Sequence, residues 1–196
     1  ASSPPIHLEE FVGGISTKNW NALLDNPKHP LINKTVQATY PPGSTYKMIT
    51  ALAGLSKGVI DYNTKIFCPG YYRFGNRVYR CWKHSGHGEV DLKKAIEESC
   101  DVYFYQVGLK VGVDGLAEVA ELFGLGDMSG IDIENEKSGL VPTKAWKKRV
   151  KKEKWHEGET LSVAIGQGFN LTTPLQICAM TAAISNGGKL YQPKVV

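Results

Sequence analysis

The chain has 196 residues, of which 42% are hydrophobic and 21% charged, and this ordinary globular composition excludes a collagen, a coiled coil and a disordered tail. No apolar run reaches the roughly 18 residues of a membrane helix, and no signal peptide is visible at Ala1. The net charge is only +4, and the segment 144–154 holds seven basic residues against Glu153 alone. We therefore expect a solvated basic loop there and no nucleic-acid binding.

The first forty residues are rich in proline and glycine, which predicts irregular structure with at most a short strand or helical turn. Pro41-Pro42-Gly43 then interrupts the chain, and Ser44 follows as a residue type that begins helices. Gly58 ends the next run, whose apolar residues fall at helical spacing: Met48, Ala51, Leu52 and Leu55. A buried helix is therefore expected from Ser44 to Lys57.

The rest of the chain predicts more helix than sheet. A hairpin is expected first, over 69–83 around Gly75-Asn76. Three helices follow: one capped by Asp91 that runs to Glu98, one from Val102 to Lys110, and one capped by Asp114 and ended by Gly124. A weak strand at Ile131 and Ile133 and a helix from the capping box at Thr173 through Ala183 complete the list. This pattern predicts an α+β domain that is short of sheet.

Ser44-Thr45-Tyr46-Lys47 is a candidate nucleophile with its base. Residues three apart on a helix share a face, so the Ser44 hydroxyl and the Lys47 amine are expected to meet. The positive end of the helix dipole favours a developing alkoxide on Ser44, and a neutral, buried Lys47 is able to take its proton. The competing interpretation is a capping serine followed by a surface lysine, and the pattern alone is common.

Ser99-Cys100-Asp101 is a second candidate motif, at the break between two predicted helices. A serine at such a break is able to relay protons between a nucleophile and a leaving amine. The competing interpretation is that Asp101 simply caps the next helix.

These two motifs, in this order, resemble the penicillin-recognising serine transpeptidases, which have Ser-x-x-Lys, then Ser-x-Asn, then Lys-Thr-Gly. Longer blocks make the chain similar to the elongation-specific class B penicillin-binding proteins from about Phe11 to its end. The blocks are Tyr40–Lys47, His87–Asp91, Glu98–Gln106, Lys137–Pro142, Gly166–Gly168 and Thr173–Gln176. The resemblance implies the α+β penicillin-binding transpeptidase (β-lactamase-like) fold, here helix-rich and truncated, with a small hairpin and an incomplete central sheet.

The resemblance also implies roles for the two motifs. Ser44 would attack the penultimate D-alanine carbonyl of a peptidoglycan stem peptide, and its amide would donate to the oxyanion. Lys47 would be the general base, Ser99 would assist proton transfer and Asp101 would shape the site. Asp101 replaces the asparagine of the wider family, as this subgroup often shows. β-Lactams would acylate Ser44 because their strained amide mimics the D-alanyl-D-alanine bond.

The third motif of the family is missing. Lys137-Ser138-Gly139 fits a loose version of it but precedes the Gly166–Gly168 block, whereas the family's motif follows that block. We therefore expect residues 1–196 to be a partial transpeptidase domain that lacks the family's membrane anchor, pedestal and Lys-Thr-Gly strand. The full-length protein would lie at the periplasmic face of the bacterial inner membrane, anchored there and partnered by a SEDS-family glycosyltransferase, while this chain would be soluble.

Three of the four cysteines lie close together in the sequence and leave three interpretations open. Cys68, Cys81, His87 and Cys100 form a complete tetrahedral zinc set, which would be structural because four protein ligands leave no open position. The hairpin would pair residue 68 with 83 and make Cys81 a diagonal neighbour of Cys68, about 7–8 Å away. A Cys68–Cys81 disulfide and free thiols are the alternatives, and His84 is an alternative ligand to His87.

The remaining candidates have simpler interpretations. Cys178 is expected to be a buried core residue. The aromatic residues Trp20, Trp82, Tyr71 and Tyr72 are expected to pack in the core more than to line a ligand site. Two other functions stay open beside the transpeptidase: a D-alanyl-D-alanine carboxypeptidase or β-lactamase that uses water as acceptor, and a zinc-stabilised, non-catalytic binding or scaffold fragment of the same fold.

Overall fold

Short helices occupy the N-terminal region, where the sequence predicted mostly irregular structure. The structure is a computed structural model that describes residues 6–195. It begins with a 3-10 turn, Leu8–Phe11, followed by α1, Thr17–Leu24, and α2, Lys34–Gln37. Ser16 caps α1 by accepting a hydrogen bond from the Asn19 amide, which is ordinary N-cap chemistry. The capping signal for α1 is therefore present in the sequence at Ser16, but the surrounding prolines and glycines obscured it.

The predicted buried helix is confirmed, but its first turn is a 3-10 turn. That turn spans Gly43–Tyr46 and continues into α3, Lys47–Ser56. Six of the ten residues of α3 are buried, but of the four residues whose spacing predicted the helix only Ala51 is among them. The other three, Met48, Leu52 and Leu55, are partly buried against the core. Gly58 ends the helix in the left-handed conformation that glycine adopts without a steric penalty.

Two small antiparallel sheets replace the large sheet of a complete α+β domain. In the first, β2, Tyr71–Phe74, pairs with β3, Arg77–Arg80, as the Gly75-Asn76 turn predicted. In the second, β1, Ile66–Cys68, pairs with β4, Gly88–Val90. The predicted pairing of residue 68 with 83 is therefore wrong, since Cys68 lies opposite Gly88.

Gly70 and Gly86 explain why the hairpin ladder does not extend to Cys68. Both have positive φ angles, and a Cβ on either would collide with the backbone of the other segment. The two segments cross in close contact at this point instead of continuing as paired strands. The Cys81 amide donates to the Gly70 carbonyl, and the His87 amide to the Cys68 carbonyl.

Six further helices complete the described structure: α4, Leu92–Glu97; α5, Asp101–Val111; α6, Val113–Leu122; α7, Lys144–Val150; α8, Glu157–Ala164; and α9, Pro174–Ser185. The predicted caps at Asp91 and Thr173 are confirmed. Asp114 lies inside the first turn of α6, and its carboxylate accepts a hydrogen bond from the Lys144 amide next to α7. No helix among residues 6–195 has both the length and the apolar character needed to cross a bilayer.

The core surrounds α5, which lies against α3 on one side and α8 on the other. Gly108 of α5 allows the close approach to α8, because a Cβ there would collide with that of Ala164. Two aromatic residues of α5, Tyr103 and Phe104, are fully buried in this core. Since α3 carries Lys47 and α5 begins at Asp101, this packing sets the distance between the two serine motifs.

Two other predictions are wrong. Ile131 and Ile133 form no strand, because the Glu136 carboxylate takes the nearby amides of Ser129 and Gly130 and holds this segment as a loop. Cys178 is exposed, since α9 buries a different face.

The basic segment 144–154 is not a fully solvated loop. Its first part is α7, capped by Thr143, and Lys147 points inward, with its side chain only 2% exposed. The Lys147 ammonium donates to both oxygens of Glu159, at 2.7 and 2.8 Å, and lies 3.4 Å from Glu153. These carboxylates raise the pKa of Lys147, so the charge persists across the physiological range.

Glu159→Gln is expected to lower the melting temperature by several degrees, and by more than Lys147→Met does. The first change leaves a buried ammonium facing only the exposed Glu153, whereas the second removes the buried charge itself. Differential scanning calorimetry checks the order. Glu153→Gln is the control and is expected to change little. If Glu159→Gln and Lys147→Met lowered the melting temperature equally, the expected difference between the two variants would be wrong.

Candidate active site

The two serine motifs meet at one point, although about fifty residues separate them in sequence. Ser99 Oγ donates to Ser44 Oγ at 3.0 Å, and Lys47 Nζ donates to Ser99 Oγ at 2.9 Å. Ser44 is exposed and Lys47 is buried, so the accessible hydroxyl connects to the buried amine through Ser99. The direct Ser44–Lys47 contact that helical spacing predicted is therefore wrong: Ser99 Oγ lies between the two groups and hydrogen-bonds to both.

Lys47 is held by three acceptors. Beyond the Ser99 hydroxyl, its Nζ donates to the Ser99 carbonyl at 2.8 Å and to Asp101 Oδ1 at 2.6 Å. The Phe104 ring lies 5.8 Å from Nζ and closes the apolar side. Lys47 is buried because it begins α3, whose apolar faces pack into the core. The surface-lysine interpretation is therefore wrong.

Asp101 does not cap α5. Its Oδ1 accepts from Lys47, and its Oδ2 accepts from the Trp82 amide at 2.9 Å. The N-cap residue of α5 is Cys100, which makes no side-chain cap bond. Both oxygens of Asp101 are thus committed to the site, and the capping interpretation is wrong.

Ser99 has a strained backbone. Its φ angle of 51° lies in the left-handed region, which is rare for a residue with a Cβ and costs about 1–3 kcal/mol. This conformation directs both the carbonyl and the hydroxyl of Ser99 at Lys47. Strain of this kind persists where surrounding contacts fix it, and here Ser99 lies in the turn between α4 and α5.

Trp82 supports Ser99 from outside, a role that the sequence reading missed by treating Trp82 as a packing residue. Its side chain is 60% exposed, and its indole Nε1 donates to the carbonyls of Glu98 and Ser99, at 3.0 and 3.1 Å. Its ring meets the His87 ring edge-on at 5.4 Å. Trp82 therefore connects the cysteine–histidine cluster to Ser99. The signal in the sequence was its position directly after Cys81.

An open cleft of about 580 Å³ gives access to Ser44. Its lining combines the motif residues with the hairpin and the Gly166–Gly168 block: Ser44, Arg80, Cys81, Trp82, Ser99, Asp101, Tyr105, Ile165 and Gln167. Gly166 fixes the Ser44 side, since the Gly43 amide donates to its carbonyl and a Cβ on Gly166 would collide with Gly43. The Gly-Gln-Gly block thus positions the turn that carries Ser44.

Lys137-Ser138-Gly139 does not line this cleft. The Lys137 amide donates to Val36 of α2, and the Ser138 carbonyl accepts from Gln176 of α9. The segment therefore joins two helices, in agreement with the prediction that it is not the third motif.

The four predicted metal ligands form one buried cluster. The ligand atoms of Cys68, Cys81, His87 and Cys100 all lie within 4.8 Å of one another, and all four thiols of the chain are free. A tetrahedral zinc with Zn–S bonds of about 2.3 Å needs its ligand atoms about 3.8 Å apart, so a small contraction is enough. His87 and not His84 belongs to the cluster.

The chemistry of His87 fits a metal ligand. Nδ1 lies 3.5 Å from the sulfurs of both Cys68 and Cys81, while Nε2 is buried without a hydrogen bond and lies 3.7 Å from a carboxylate oxygen of Glu98. Burial lowers the pKa of His87, and the neutral imidazole is the form that binds metals. A carboxylate near the second ring nitrogen is the usual outer partner of a ligating histidine. Burial also raises the pKa of the Cys81 and Cys100 thiols.

Comparisons with known proteins agree with this geometry. A family model described as the penicillin binding protein transpeptidase domain matches residues 11–196. The whole chain is 43% identical to the peptidoglycan D,D-transpeptidase MrdA of Acinetobacter baumannii, and it spans 29% of that protein's length.

Two solved structures extend the likeness to three dimensions. PBP2 in the Helicobacter pylori complex with MreC superposes with a TM-score of 0.95 at 43% identity, over 99% of this chain and 36% of that one. The imipenem acyl-enzyme complex of penicillin-binding protein A from M. tuberculosis gives 0.83 at 25% identity, over 99% of this chain and 44% of that one.

Proposed function

Because the chain belongs to the penicillin-binding protein transpeptidase family, we propose that it is the nucleophile-bearing part of an elongation-specific peptidoglycan D,D-transpeptidase. Its fold is the helix-rich transpeptidase fold with few short strands. The chain spans about three tenths of its curated relative, so the activity is proposed for the protein of which this domain is part. The observation that carries the proposal is the hydrogen-bonded relay of Ser44, Ser99 and Lys47.

In the acylation step, Ser44 Oγ attacks the carbonyl of the penultimate D-alanine. In the resting site Lys47 Nζ donates three hydrogen bonds, as an ammonium does, so the step begins once Lys47 has lost one proton and accepts from Ser99 Oγ. The Ser44 proton then passes to Ser99 Oγ, and the Ser99 hydroxyl proton passes to the neutral Lys47 amine. When the tetrahedral intermediate collapses, the relay returns a proton to the departing D-alanine nitrogen. Asp101 and the Ser99 carbonyl hold the Lys47 ammonium that exists between these two events.

In the second step the amine of a neighbouring stem peptide attacks the Ser44 ester. The relay takes a proton from this amine and gives one to Ser44 Oγ, which restores the hydroxyl and completes the cross-link. A β-lactam enters at the first step, and the imipenem acyl-enzyme of the M. tuberculosis relative supports this behaviour for the family. The substrates are therefore proposed to be D-alanyl-D-alanine stem peptides, with β-lactams as inhibitors.

Incubation of the full-length protein with a labelled penicillin tests the proposal. We expect one stable label per protein molecule, lost completely in Ser44→Ala because no other hydroxyl begins the relay. Intact-mass spectrometry measures the adduct, and Ser185→Ala on the exposed end of α9 is the matched control. An adduct that survives in Ser44→Ala would overturn the proposal.

The same experiment separates the other two functions. Rapid turnover of penicillin without a lasting adduct would favour a carboxypeptidase or β-lactamase, which uses water in place of the acceptor amine. A well-folded full-length protein with no adduct at all would favour a non-catalytic scaffold.

Trp82→Phe is expected to slow this acylation about five- to tenfold while changing the melting temperature little. The change keeps an aromatic ring but removes the Nε1 donor that holds the Ser99 carbonyl, a loss of about 1–1.5 kcal/mol. Acylation is followed by stopped flow, and Trp20→Phe is the control. Unchanged acylation would show that Trp82 does not position Ser99.

We further propose that Cys68, Cys81, His87 and Cys100 hold a structural zinc ion. When bound, zinc would supply four strong bonds that fix the ligands, with no open position for chemistry. Cys100 follows Ser99 directly and Cys81 precedes Trp82, so the four ligands would hold both supports of the relay in place. The compact free-thiol cluster and the neutral His87 support this proposal.

The wider context is proposed from the relatives. The full-length protein would be membrane-anchored at the periplasmic face of the inner membrane and would work with a SEDS-family glycosyltransferase. The Helicobacter pylori complex of PBP2 with MreC supports a place in a multi-protein assembly.

A further inference from the structure

The hairpin β2–β3 presents two different faces. Cross-strand partners in an antiparallel pair lie on the same face, and successive residues alternate. The register Tyr71↔Arg80 and Arg73↔Val78 therefore places all four of these residues on one face, which we call the outer face. The other four hairpin residues lie on the opposite face, which we call the inner face. Three of them, Tyr72, Phe74 and Tyr79, pack against the core, and the fourth is Arg77.

The inner face fixes the hairpin to the core. The Tyr79 hydroxyl donates to the Gly158 carbonyl at 3.1 Å, and its ring meets Tyr105 of α5 edge-on at 5.8 Å. The Tyr105 hydroxyl in turn donates to the Arg80 carbonyl at 3.0 Å. Because these contacts hold the hairpin against the core, the side chains of the outer face have defined positions relative to the cleft of Ser44.

The outer face is cationic and has no internal counter-charge. A cavity of about 320 Å³ lies over it, lined by Gly70, Tyr71, Arg73, Val78, Arg80 and His84. Within residues 6–195 no carboxylate forms an ion pair with Arg73 or Arg80. Some exposed lysines elsewhere do form ion pairs, as Lys57 does with Glu118 at 2.6 Å.

Arg80 also joins this cavity to the catalytic cleft, since it lines both. Arg73 and Arg80 are diagonal neighbours across the hairpin, a spacing of about 7–8 Å. A ligand that leaves Ser44 along this direction therefore meets Arg80 first and Arg73 second. Tyr71 and Val78, both about half exposed, lie between them as apolar contacts.

We propose that the outer face of the hairpin is a subsite for a side-chain carboxylate of the peptide substrate, bound by Arg73 and Arg80. This inference rests on the proposed peptide substrate of the Ser44 cleft. A guanidinium recognises a carboxylate through two parallel hydrogen bonds, so two unpaired arginines select an acidic peptide over a neutral one. Binding also relieves the repulsion between the two like charges.

Peptide binding measured by NMR titration tests the subsite. The probes are a synthetic peptide ending in D-alanyl-D-alanine with one further free side-chain carboxylate, and the same peptide with that carboxylate amidated. We expect the wild-type chain to bind the acidic peptide about fivefold more tightly, the scale of a solvent-accessible charge pair at its upper end. Arg73→Gln is expected to reduce this ratio to less than twofold.

Arg77→Gln is the matched control, because Arg77 belongs to the same hairpin but lies opposite Phe74 on the other face. We expect it to keep the fivefold ratio. Equal affinity of the wild-type chain for both peptides, or equal losses in Arg73→Gln and Arg77→Gln, would overturn the subsite. Penicillin labelling of wild-type Ser44 is run in parallel: its absence would contradict the proposed function, whereas labelling without carboxylate preference contradicts the subsite alone.

Discussion

Lys47→Met is expected to slow acylation of Ser44 by penicillin about 10²- to 10⁴-fold, the range that a positioned acid–base group contributes. Methionine has similar length and fits the apolar start of α3, but it cannot take the proton that Ser44 delivers through Ser99. Stopped-flow or quenched mass spectrometry measures the rate. Lys57→Met, at an exposed ion pair, is the control and is expected to acylate normally.

The same variant is expected to lose stability, which has to be separated from the loss of base. Without Lys47, the Asp101 carboxylate, whose side chain is only 13% exposed, keeps the Trp82 amide as its hydrogen-bond donor but loses its ion-pair partner. Breaking such a pair costs about 3 kcal/mol. The double variant Lys47→Met/Asp101→Asn removes both charges and is expected to recover stability but not acylation. Recovery of acylation in the double variant would contradict the role of Lys47 as base.

Removal of the proposed zinc is expected to have the second large effect. We expect the purified chain to contain about one zinc per molecule and a chelator to lower its melting temperature by more than about 10 °C, because structural zinc sites contribute folding energy directly. Acylation should slow as well, since Cys100 and Cys81 adjoin Ser99 and Trp82. Elemental analysis, calorimetry and penicillin labelling measure the three quantities.

Single-ligand variants sharpen this test. Cys81→Ala is expected to lose the zinc, whereas His84→Ala, outside the cluster, should retain it. Zinc content near zero together with two missing free thiols would favour the Cys68–Cys81 disulfide. Zinc content near zero with all thiols free would leave the cluster as a buried thiol pocket.

The helices that begin with a local signal were predictable from the sequence. Asp91 and Thr173 cap α4 and α9 with hydrogen bonds to amides three residues away, so the information lies within one turn. The Gly75-Asn76 turn fixes the register of β2 and β3 for the same reason. Helix α8 was missed because its helical signal is weak and its place is set by packing on α5.

The sequence predicted which residues belong to the candidate site, but not the hydrogen bonds that connect them. The order of the two motifs along the sequence is enough to single out Ser44, Lys47, Ser99 and Asp101 as candidates. The relay through Ser99, the left-handed conformation of Ser99 and the support from Trp82 all depend on contacts between α3, the hairpin and the break between α4 and α5. Spacing along one helix cannot reveal a contact that comes from another element.

The sequence by itself determined which reactive groups this protein carries: a serine with its lysine, a second serine with an acid, and three thiols with an imidazole. Tertiary structure alone decided which groups are buried and what they face. Lys147 became buried because Glu159 of α8 meets it, and Cys178 became exposed because α9 turns another face inward. Capping and turn formation depend on atoms a few residues apart, whereas burial and electrostatic pairing depend on segments that only the folded core brings together.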